Sequence, residues 1–330
     1  MRKLRVVQIG VNHDHASAIF KTMVNLPELF EVVGYCIPED EPPLKKELNA
    51  VYQGYPQLTL EQIAADKSID CATIETFERN LTKYATFALE LGLPIHMDKP
   101  GGVEHEDFKK MIALVKEKNI PFHTGYMYRY NPAVLELMEK VKSGELGRII
   151  SVEAQMNCLH KPENRQWLEG FPGGMMFYLG CHLVDLIVQI LGMPRNIIPL
   201  NRSTGMNGVT AQDFGMAVFE YENGVSFAKT SAAERGGYMR RQLVVTGEKA
   251  TVELRPFEYG AENDMYTGRR VCTDEAWGAD GQRDTVGSYD RYVAMLRGFA
   301  AMVRGEKENP WTPDYELELY KTVLRACGAL

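Results

Sequence analysis

Residues 6–20 read VVQIGVNHDHASAIF, and this stretch decides the fold of the N-terminal half. An apolar run leads into Gly10 and an amphipathic segment follows, which is the pattern of a strand, a tight phosphate loop and a helix. A dinucleotide fingerprint G-x-G-x-x-G placed on Gly10 finds Asn12 and His15 where two glycines should stand. Three interpretations stay open here: a substituted dinucleotide loop, a metal cluster at 13–15, and a capped turn.

Backbone N–H groups and a helix N-terminus bind a pyrophosphate, so the loop does not need particular side chains. Asparagine also tolerates the positive φ angles that glycine adopts, which lets Asn12 replace a glycine. Adjacent residues such as His13 and Asp14 rarely converge on one ion, and the sequence shows no distant ligand. These arguments favour a nucleotide over a metal, and we expect no metal ion.

Outward from this loop, short apolar segments alternate with amphipathic ones as far as residue 125. Such alternation predicts a parallel sheet with right-handed crossovers, covered by helices on both faces. The predicted strands cover 4–10, 30–37, 69–76, 94–100 and, as the sixth, 120–126. The predicted helices cover 15–26, 41–52, 59–66, 79–92 and 103–119.

The pattern changes after residue 150. Segment 213–234 predicts a hairpin across Asn223-Gly224, and 240–256 predicts another that turns near Gly247. With helical segments at 289–305 and 312–328, this half is typical of an α+β domain. We therefore predict two domains, 1–125 and 126–330.

Composition excludes several classes of protein. The net charge is −7, with 45% hydrophobic and 25% charged residues, which argues against a nucleic-acid partner or an anionic membrane surface. No apolar run is long enough for a membrane span, and the N-terminal apolar stretch is too short for a signal peptide. Six cysteines without a C-x-x-C pair predict reduced thiols, so we expect a cytoplasmic chain.

Two further stretches contain side chains that could take part in binding or catalysis. HMDKPGG, residues 96–102, places Lys99 at the end of a predicted strand, where open α/β sheets bind ligands. A solvated surface lysine is the alternative. In MMFYLGCHLVDLIVQIL, 175–191, helical spacing puts one polar stripe on an otherwise apolar helix: Tyr178, His182, Asp185 and Gln189. A buried polar stripe either lines a cavity or joins an internal network, and we favour a site.

Three motifs together resemble the glucose–fructose oxidoreductase/inositol dehydrogenase family, or Gfo/Idh/MocA. DKP at 98–100 is similar to its E-K-P motif. GYMYRYNPAVLELMEKVKSGELGRIISVEA at 125–154 is similar to its G-F-N-Y-R-x-x-P segment and the SGELGRI that follows. GGMMFYLGCHLVDLIVQILG at 173–192 resembles its G-G-x-x-x-D-x-G-x-H-x-x-D helix. The motifs occur in the family's order and cover nearly the whole chain.

The resemblance implies an N-terminal Rossmann domain that binds NAD or NADP, followed by an α+β domain with an open, mostly antiparallel sheet. It implies a sugar- or cyclitol-like substrate and a homodimer or homotetramer. Implied cofactor residues are Gly10, Asn12, His13, Ile37, Thr76 (after the fourth strand), Asp98, Lys99 and Arg129. Implied substrate-side residues are Lys99, His182, Tyr178 and Asp185, with His182 as acid/base and Lys99 beside the reacting hydroxyl.

Four positions depart from the family pattern. Tyr178 stands where many members have aspartate, and Met127 replaces a usual asparagine. Ile37 occupies the place of the acid that binds the adenosine ribose, so Glu39 is the nearest substitute. Glu75 puts an acid at a strand end that is often small or apolar. These departures leave cofactor preference and reaction type open.

Three functions are consistent with the sequence. The leading one is an NAD(P)-dependent oxidoreductase acting on a carbohydrate-like secondary alcohol. The alternatives are a redox-neutral glycosidase or epimerase with tightly held NAD, and a non-catalytic sugar or nucleotide sensor. Lys99 and His182 argue against the sensor, since a sensor needs no acid/base.

Overall fold

The computed structural model describes residues 2–261 and 264–330. The chain forms two compact units, named here unit 1 (Met1–Tyr126 and Tyr292–Leu317) and unit 2 (Met127–Arg291 and Glu318–Leu330). The first crossing lies one residue from the predicted boundary. The prediction placed residues 292–317 in the second domain, but the chain returns to unit 1 over this segment. There Phe299 stacks on His123, with ring centroids 6.0 Å apart.

The secondary structure follows the predicted alternation and then the predicted hairpins. The strands are β1 (Leu4–Ile9), β2 (Phe30–Cys36), β3 (Cys71–Ile74), β4 (Ile95–Met97), β5 (Phe122–Thr124), β6 (Ile149–Asn157), β7 (Asn196–Pro199), β8 (Phe214–Tyr221), β9 (Gly224–Ser231), β10 (Gln242–Gly247), β11 (Thr251–Leu254), β12 (Tyr259–Ala261), β13 (Asp264–Cys272) and β14 (Gln282–Tyr289). The α-helices are α1 (Ala16–Val24), α2 (Asn49–Tyr52), α3 (Leu60–Ala65), α4 (Leu81–Glu90), α5 (His105–Lys118), α6 (Pro132–Lys142), α7 (Pro162–Trp167), α8 (Cys181–Leu191), α9 (Val293–Val303) and α10 (Pro313–Cys327).

Unit 1 contains a fully parallel sheet in the order β2-β1-β3-β4-β5. Val6, Val7 and Ile9 of β1 are completely buried, as expected of a strand whose sheet is covered on both faces. The strand order reverses between β1 and β3, and open α/β sheets bind ligands at the carboxyl ends of such a pair. This topology confirms the predicted Rossmann-like fold and points to the loops after β1 and β3.

Three details of unit 1 differ from the prediction. The segment 120–126 provides the fifth strand, not a sixth, and Thr76 follows the third strand. The predicted helix at 41–52 shrinks to a 3₁₀ turn at Lys46–Leu48 and the short α2. Pro42 and Pro43 explain this, because proline lacks an N–H donor and moves the preceding residue out of helical backbone geometry.

Unit 2 contains a nine-stranded sheet, ordered β12-β13-β11-β10-β6-β9-β8-β7 with β14 paired to β13. Only β6 and β9 pair in parallel; the other described pairs are antiparallel. Along β10, buried and half-buried residues alternate, so one face is covered and the other is partly exposed. Helix α8 packs against β6 and β9. The predicted open, mostly antiparallel sheet is confirmed.

The β8–β9 hairpin turns one residue earlier than predicted. Tyr221 pairs with Gly224, so the turn residues are Glu222 and Asn223. Gly224 serves a different purpose, since a Cβ there would lie closer than 3.0 Å to the Ile150 carbonyl oxygen. Among the described residues, no helix combines the length and the apolar composition needed to cross a bilayer.

Candidate functional site

The loop after β1 is held against the end of β3. Gly10 has φ +93°, and a Cβ there would approach the Thr76 backbone nitrogen closer than 3.0 Å. The N–H groups of Asn12 and His13 both donate to the Glu75 carbonyl oxygen at 3.1 Å. Glycine is therefore required at position 10 by both backbone conformation and close approach.

Asn12 does not replace a glycine in the way the sequence suggested. Among non-glycine residues, only Asn119 and Asn207 have positive φ in the described chain. The side chain of Asn12 instead donates to Glu41 Oε2 at 3.0 Å and to the Pro42 carbonyl oxygen at 2.9 Å. Its amide thus ties the loop after β1 to the segment after β2.

Glu41 joins three loops at the carboxyl edge of the sheet, and sequence reasoning missed it. Its carboxylate accepts hydrogen bonds from the Asn12 amide, from the Phe77 N–H at 3.1 Å and from Asn80 Nδ2 at 2.6 Å. The residue is buried. No local pattern distinguishes Glu41 from its acidic neighbours, so only the fold reveals this function.

A cavity of about 520 Å³ borders the end of β2 in unit 1. It is lined by Cys36, Ile37, Pro38, Glu39, Asp40, Gln57, Leu58, Thr59, Leu60, Glu61, Lys83, Tyr84 and Phe87. This volume lies within the range of small-molecule sites. A smaller cavity of about 210 Å³ adjoins the loop after β1 and is lined in part by Asn12, His13, Ser17 and Lys45.

These features fit the adenosine and phosphate portions of a dinucleotide. The cavity lies beside Ile37 and Glu39, where the resemblance puts the adenosine ribose, and Gly10 provides the close backbone approach. Lys45 contributes a positive charge near the loop, while Asp14 and Glu47 line the same small cavity. The residues present therefore fit NAD or NADP.

Asp98 lies in a buried cluster at the end of β4. Its Oδ1 accepts the Lys99 N–H at 2.7 Å, and its Oδ2 lies 3.2 Å from His13 Nδ1 and 3.0 Å from His15 Nδ1. Burial works to raise the pKa of Asp98, but the two imidazoles hold it well below its usual range. Burial works to lower the pKa of His13, yet the Asp98 and Glu78 carboxylates outweigh it and raise that pKa.

The cluster continues into two more buried acids. Glu75 lies 4.0 Å from His13 Nδ1 and 3.8 Å from His96 Nε2, and Glu78 lies 3.7 Å from His13 Nε2. Burial raises the pKa of both acids, and the charge of Asp98 adds to the effect on Glu75. Lys99 is buried on the same edge of the sheet, so the alternative interpretation of Lys99 as a solvated surface lysine is wrong.

In unit 2, the predicted polar stripe is interrupted by a π-helical turn. This turn spans Met176–Gly180, and α8 begins only at Cys181. Regular helical spacing therefore does not extend from Tyr178 to His182. The Tyr178 ring packs on Trp167 at 5.4 Å and on Phe171 at 6.3 Å. Such turns often occur at functional sites.

His182 is buried near the start of α8, with its ring edge-on to Tyr128 at 4.9 Å. The Tyr128 hydroxyl donates to Glu258 Oε2 at 3.0 Å, and Arg291 binds the same carboxylate at 2.5 and 2.7 Å. Burial, then the charge of Glu258, raises the pKa of Tyr128 well above its usual range. This network fixes the ring against which His182 packs, and no sequence signal marked Glu258 or Arg291.

The structure brings Arg129 and Asp185 together. Arg129 Nε lies 3.0 and 3.1 Å from the two carboxylate oxygens, and its Nη2 lies 2.7 Å from Oδ1. Gln189 Nε2 donates to the same carboxylate at 2.8 Å. Asp185 and Gln189 thus belong to an internal network, which was one of the two alternatives for the polar stripe.

Comparison with known proteins supports the resemblance. Residues 134–253 match the family model described as the GFO/IDH/MocA C-terminal domain. Over these 120 of its 330 residues, the chain is similar to the Gfo/Idh/MocA family. The matched region begins in α6 and extends through β11, so it contains α8 with His182.

Curated proteins similar to this chain carry dehydrogenase and oxidoreductase names. The chain is similar to the uncharacterized oxidoreductase YhhX of Escherichia coli, at 25% identity over 65% of this chain and 59% of that protein. It is similar to the scyllo-inositol 2-dehydrogenase (NADP(+)) IolW of Bacillus subtilis, at 20% identity over 80% and 77%. The matches with the first curated relatives span 54–60% of those proteins' lengths.

Solved structures of other proteins share this fold. UDP-N-acetylglucosamine 3-dehydrogenase GnnA from Acidithiobacillus ferrooxidans superposes with a TM-score of 0.77 at 16% identity, covering 100% of this chain and 98% of that one. Identity this low supports the fold alone.

Proposed function

We propose that this protein is a member of the Gfo/Idh/MocA family and an NAD(P)-dependent oxidoreductase that transfers hydride between a nicotinamide cofactor and a secondary hydroxyl of a sugar, cyclitol or derivative. One observation carries the proposal. Lys99 is buried at the carboxyl edge of the parallel sheet whose topological switch point bears the Gly10 cradle. A cation buried at that position can stabilise the negative charge that develops on a substrate oxygen during the reaction.

Different residues of the chain would bind the cofactor, accept the proton and stabilise the alkoxide. The loop from Gly10 to His13 and the cavity beside Ile37 and Glu39 would hold the cofactor, which when bound supplies the hydride acceptor. Oxidation of an alcohol releases a hydride from carbon and a proton from oxygen. His182 takes that proton, because an imidazole titrates near neutral pH. Lys99 stabilises the alkoxide character that develops as the proton leaves.

The names of relatives support the substrate class. IolW is named for scyllo-inositol, and a bovine relative at 24% identity is named for a dihydrobenzene diol. Each named substrate is a cyclic molecule that bears secondary hydroxyl groups. A small cyclic polyol or sugar is therefore the class that we propose for this chain. The homodimer or homotetramer remains a prediction, which light scattering on the purified protein tests.

A screen of polyols, cyclitols and glycosides with NAD and NADP tests the activity. We expect reduction of the cofactor with at least one compound, and loss of that signal in Lys99→Ala and His182→Ala. His105→Ala on α5 is the matched control and should retain the activity. A screen in which no compound reduces either cofactor, with both cofactors bound, would contradict the proposed reaction.

A redox-neutral glycosidase or epimerase is the second candidate, and Tyr178 favours it. This position departs from the aspartate of many family dehydrogenases and lies in an aromatic cluster with Trp167 and Phe171. Denaturing the purified protein and identifying the released nucleotide separates the two candidates. Stoichiometric NAD favours the redox-neutral reaction, whereas a protein purified without nucleotide favours the dehydrogenase.

A further inference from the structure

Three side chains of metal-ligand type converge in unit 1. His13, His15 and Asp98 each offer one ligand atom, and these atoms lie within 4.8 Å of one another. Asp98 Oδ2 is 3.2 Å from His13 Nδ1 and 3.0 Å from His15 Nδ1. The two histidines follow β1 and the aspartate follows β4, so the parallel sheet brings them together.

We propose that His13, His15 and Asp98 form a binding site for one divalent transition metal ion of the zinc class. In a tetrahedral zinc site the bonds are about 2.0–2.1 Å, which places neighbouring ligand atoms about 3.3 Å apart. The observed separations are already close to this value. Two imidazole nitrogens and one carboxylate suit zinc and its neighbours rather than magnesium or calcium, and leave a fourth position open.

The contacts of both ring nitrogens of His13 fit a ligand. Its Nδ1 lies 3.2 Å from Asp98 Oδ2 and 3.2 Å from the backbone nitrogen of His15. Its Nε2 lies 3.7 Å from Glu78 Oε1. A ligating histidine commonly directs its second ring nitrogen at a carboxylate, and Glu78 occupies that outer position.

Two buried polar atoms beside the three ligands are consistent with a cation site. His13 Nε2 and Glu78 Oε2 have no hydrogen-bond partner among the residues that the structure describes. Buried carboxyl groups need a compensating charge or hydrogen bonds. A divalent ion held by Asp98 would add positive charge next to Glu78, whose Oε1 lies 3.7 Å from His13 Nε2.

The site revises the expectation of no metal. That expectation depended on the lack of a distant ligand, and Asp98 is such a ligand, brought to the loop by the fold. The proposal does not rest on the proposed function, because the three residues belong to unit 1 and need no substrate. Asp14, the third member of the sequence alternative, is exposed and does not take part.

Metal binding is tested on the full-length chain without an affinity tag. The protein is stripped with EDTA, loaded with Zn²⁺ or Co²⁺, dialysed, and measured by elemental analysis and by visible Co²⁺ absorption. We expect one ion per chain. His15→Gln and Asp98→Asn should weaken Zn²⁺ binding at least about 100-fold, and Glu78→Gln by about 10–100-fold, the usual effect of an outer partner. His105→Gln, on α5, should not change it.

Thermal melting distinguishes a variant that has lost metal binding from a variant that has failed to fold. Zn²⁺ should raise the melting temperature of the wild type and of His105→Gln, but not that of a folded Asp98→Asn. A wild-type chain that retains neither ion would overturn the proposal, as would equal binding by wild type and ligand variants. NADH titration of the metal-free protein reports on the cofactor site separately.

Discussion

Arg129 and Asp185 form a buried ion pair with two-pronged geometry inside unit 2. Three nitrogen–oxygen distances lie between 2.7 and 3.1 Å, and the two side chains are 0% and 1% exposed. Asp185 lies three residues after His182 on α8. The pair therefore fixes one turn of the helix that carries the proposed acid/base, which makes Asp185 a positioning residue.

Replacing Asp185 by asparagine should destabilise unit 2 strongly. The change leaves the Arg129 charge buried without its partner, and the expected loss in the free energy of unfolding is about 3–5 kcal/mol. Denaturant unfolding followed by circular dichroism measures it. The matched control is Glu222→Gln, which breaks the exposed Arg195–Glu222 pair at 2.9 Å and should cost less than about 1 kcal/mol. Equal losses in the two variants would contradict a structural role for the buried pair.

Gly10→Ala should damage the cofactor site. Gly10 has φ +93° and no room for a Cβ beside Thr76, so the loop must move. Gly92 has φ +81° with nothing within 4 Å of its added Cβ, and Gly92→Ala is the matched control for backbone strain alone. Gly92→Ala should lose about 1–3 kcal/mol of stability through strain alone, and Gly10→Ala should lose more because of the added clash. Only Gly10→Ala should weaken NADH binding, by about tenfold or more, as measured by fluorescence titration.

The cofactor preference should be modest and should favour NAD. Glu39, Asp40 and Glu61 line the cavity beside β2, and Lys83, its described cation, is paired with Asp40 at 2.6 Å. These acids repel a 2′-phosphate. Glu39→Gln should therefore raise kcat/KM with NADP by up to about tenfold, or ~1.4 kcal/mol, with little change for NAD. A wild-type preference for NADP above about tenfold would contradict the prediction.

Lys99 and His182 should both be needed for full turnover. His182→Ala should lower turnover by about 10²–10⁴-fold and leave NADH binding nearly unchanged, since the proposed role of His182 is proton transfer. Lys99→Ala should lower turnover comparably. The double variant should be much less impaired than the product of the single effects. If His182→Ala keeps its turnover and loses only thermal stability, His182 is a core residue.

The sequence predicted most of the fold because hydrophobic periodicity and turn residues are local signals. β1 and the Gly10 turn lie where the pattern predicted them, and the parallel and antiparallel sheets are confirmed. The departures have long-range causes. Residues 292–317 pack in unit 1, and an amphipathic helix indicates that one face is buried without indicating against what.

The sites were predicted less completely, for a similar reason. Lys99 and His182 were found through motifs, but the partners that shape their surroundings lie far away in the chain. Glu41 joins loops after three strands, and Glu258 holds Tyr128 from a distance of 130 residues. Helical spacing also misplaced Tyr178, since a π-helical turn adds a residue to the repeat before α8.

The most direct measurement of the central claim is an equilibrium titration of the purified protein with NADH and NADPH, after any bound nucleotide has been removed and identified. The account predicts saturable binding at one site per chain with a dissociation constant below about 1 mM, a typical upper limit for enzyme sites. It also predicts tighter binding of NADH than of NADPH. A folded protein that binds neither cofactor below about 1 mM, and that released no nucleotide, would contradict the account.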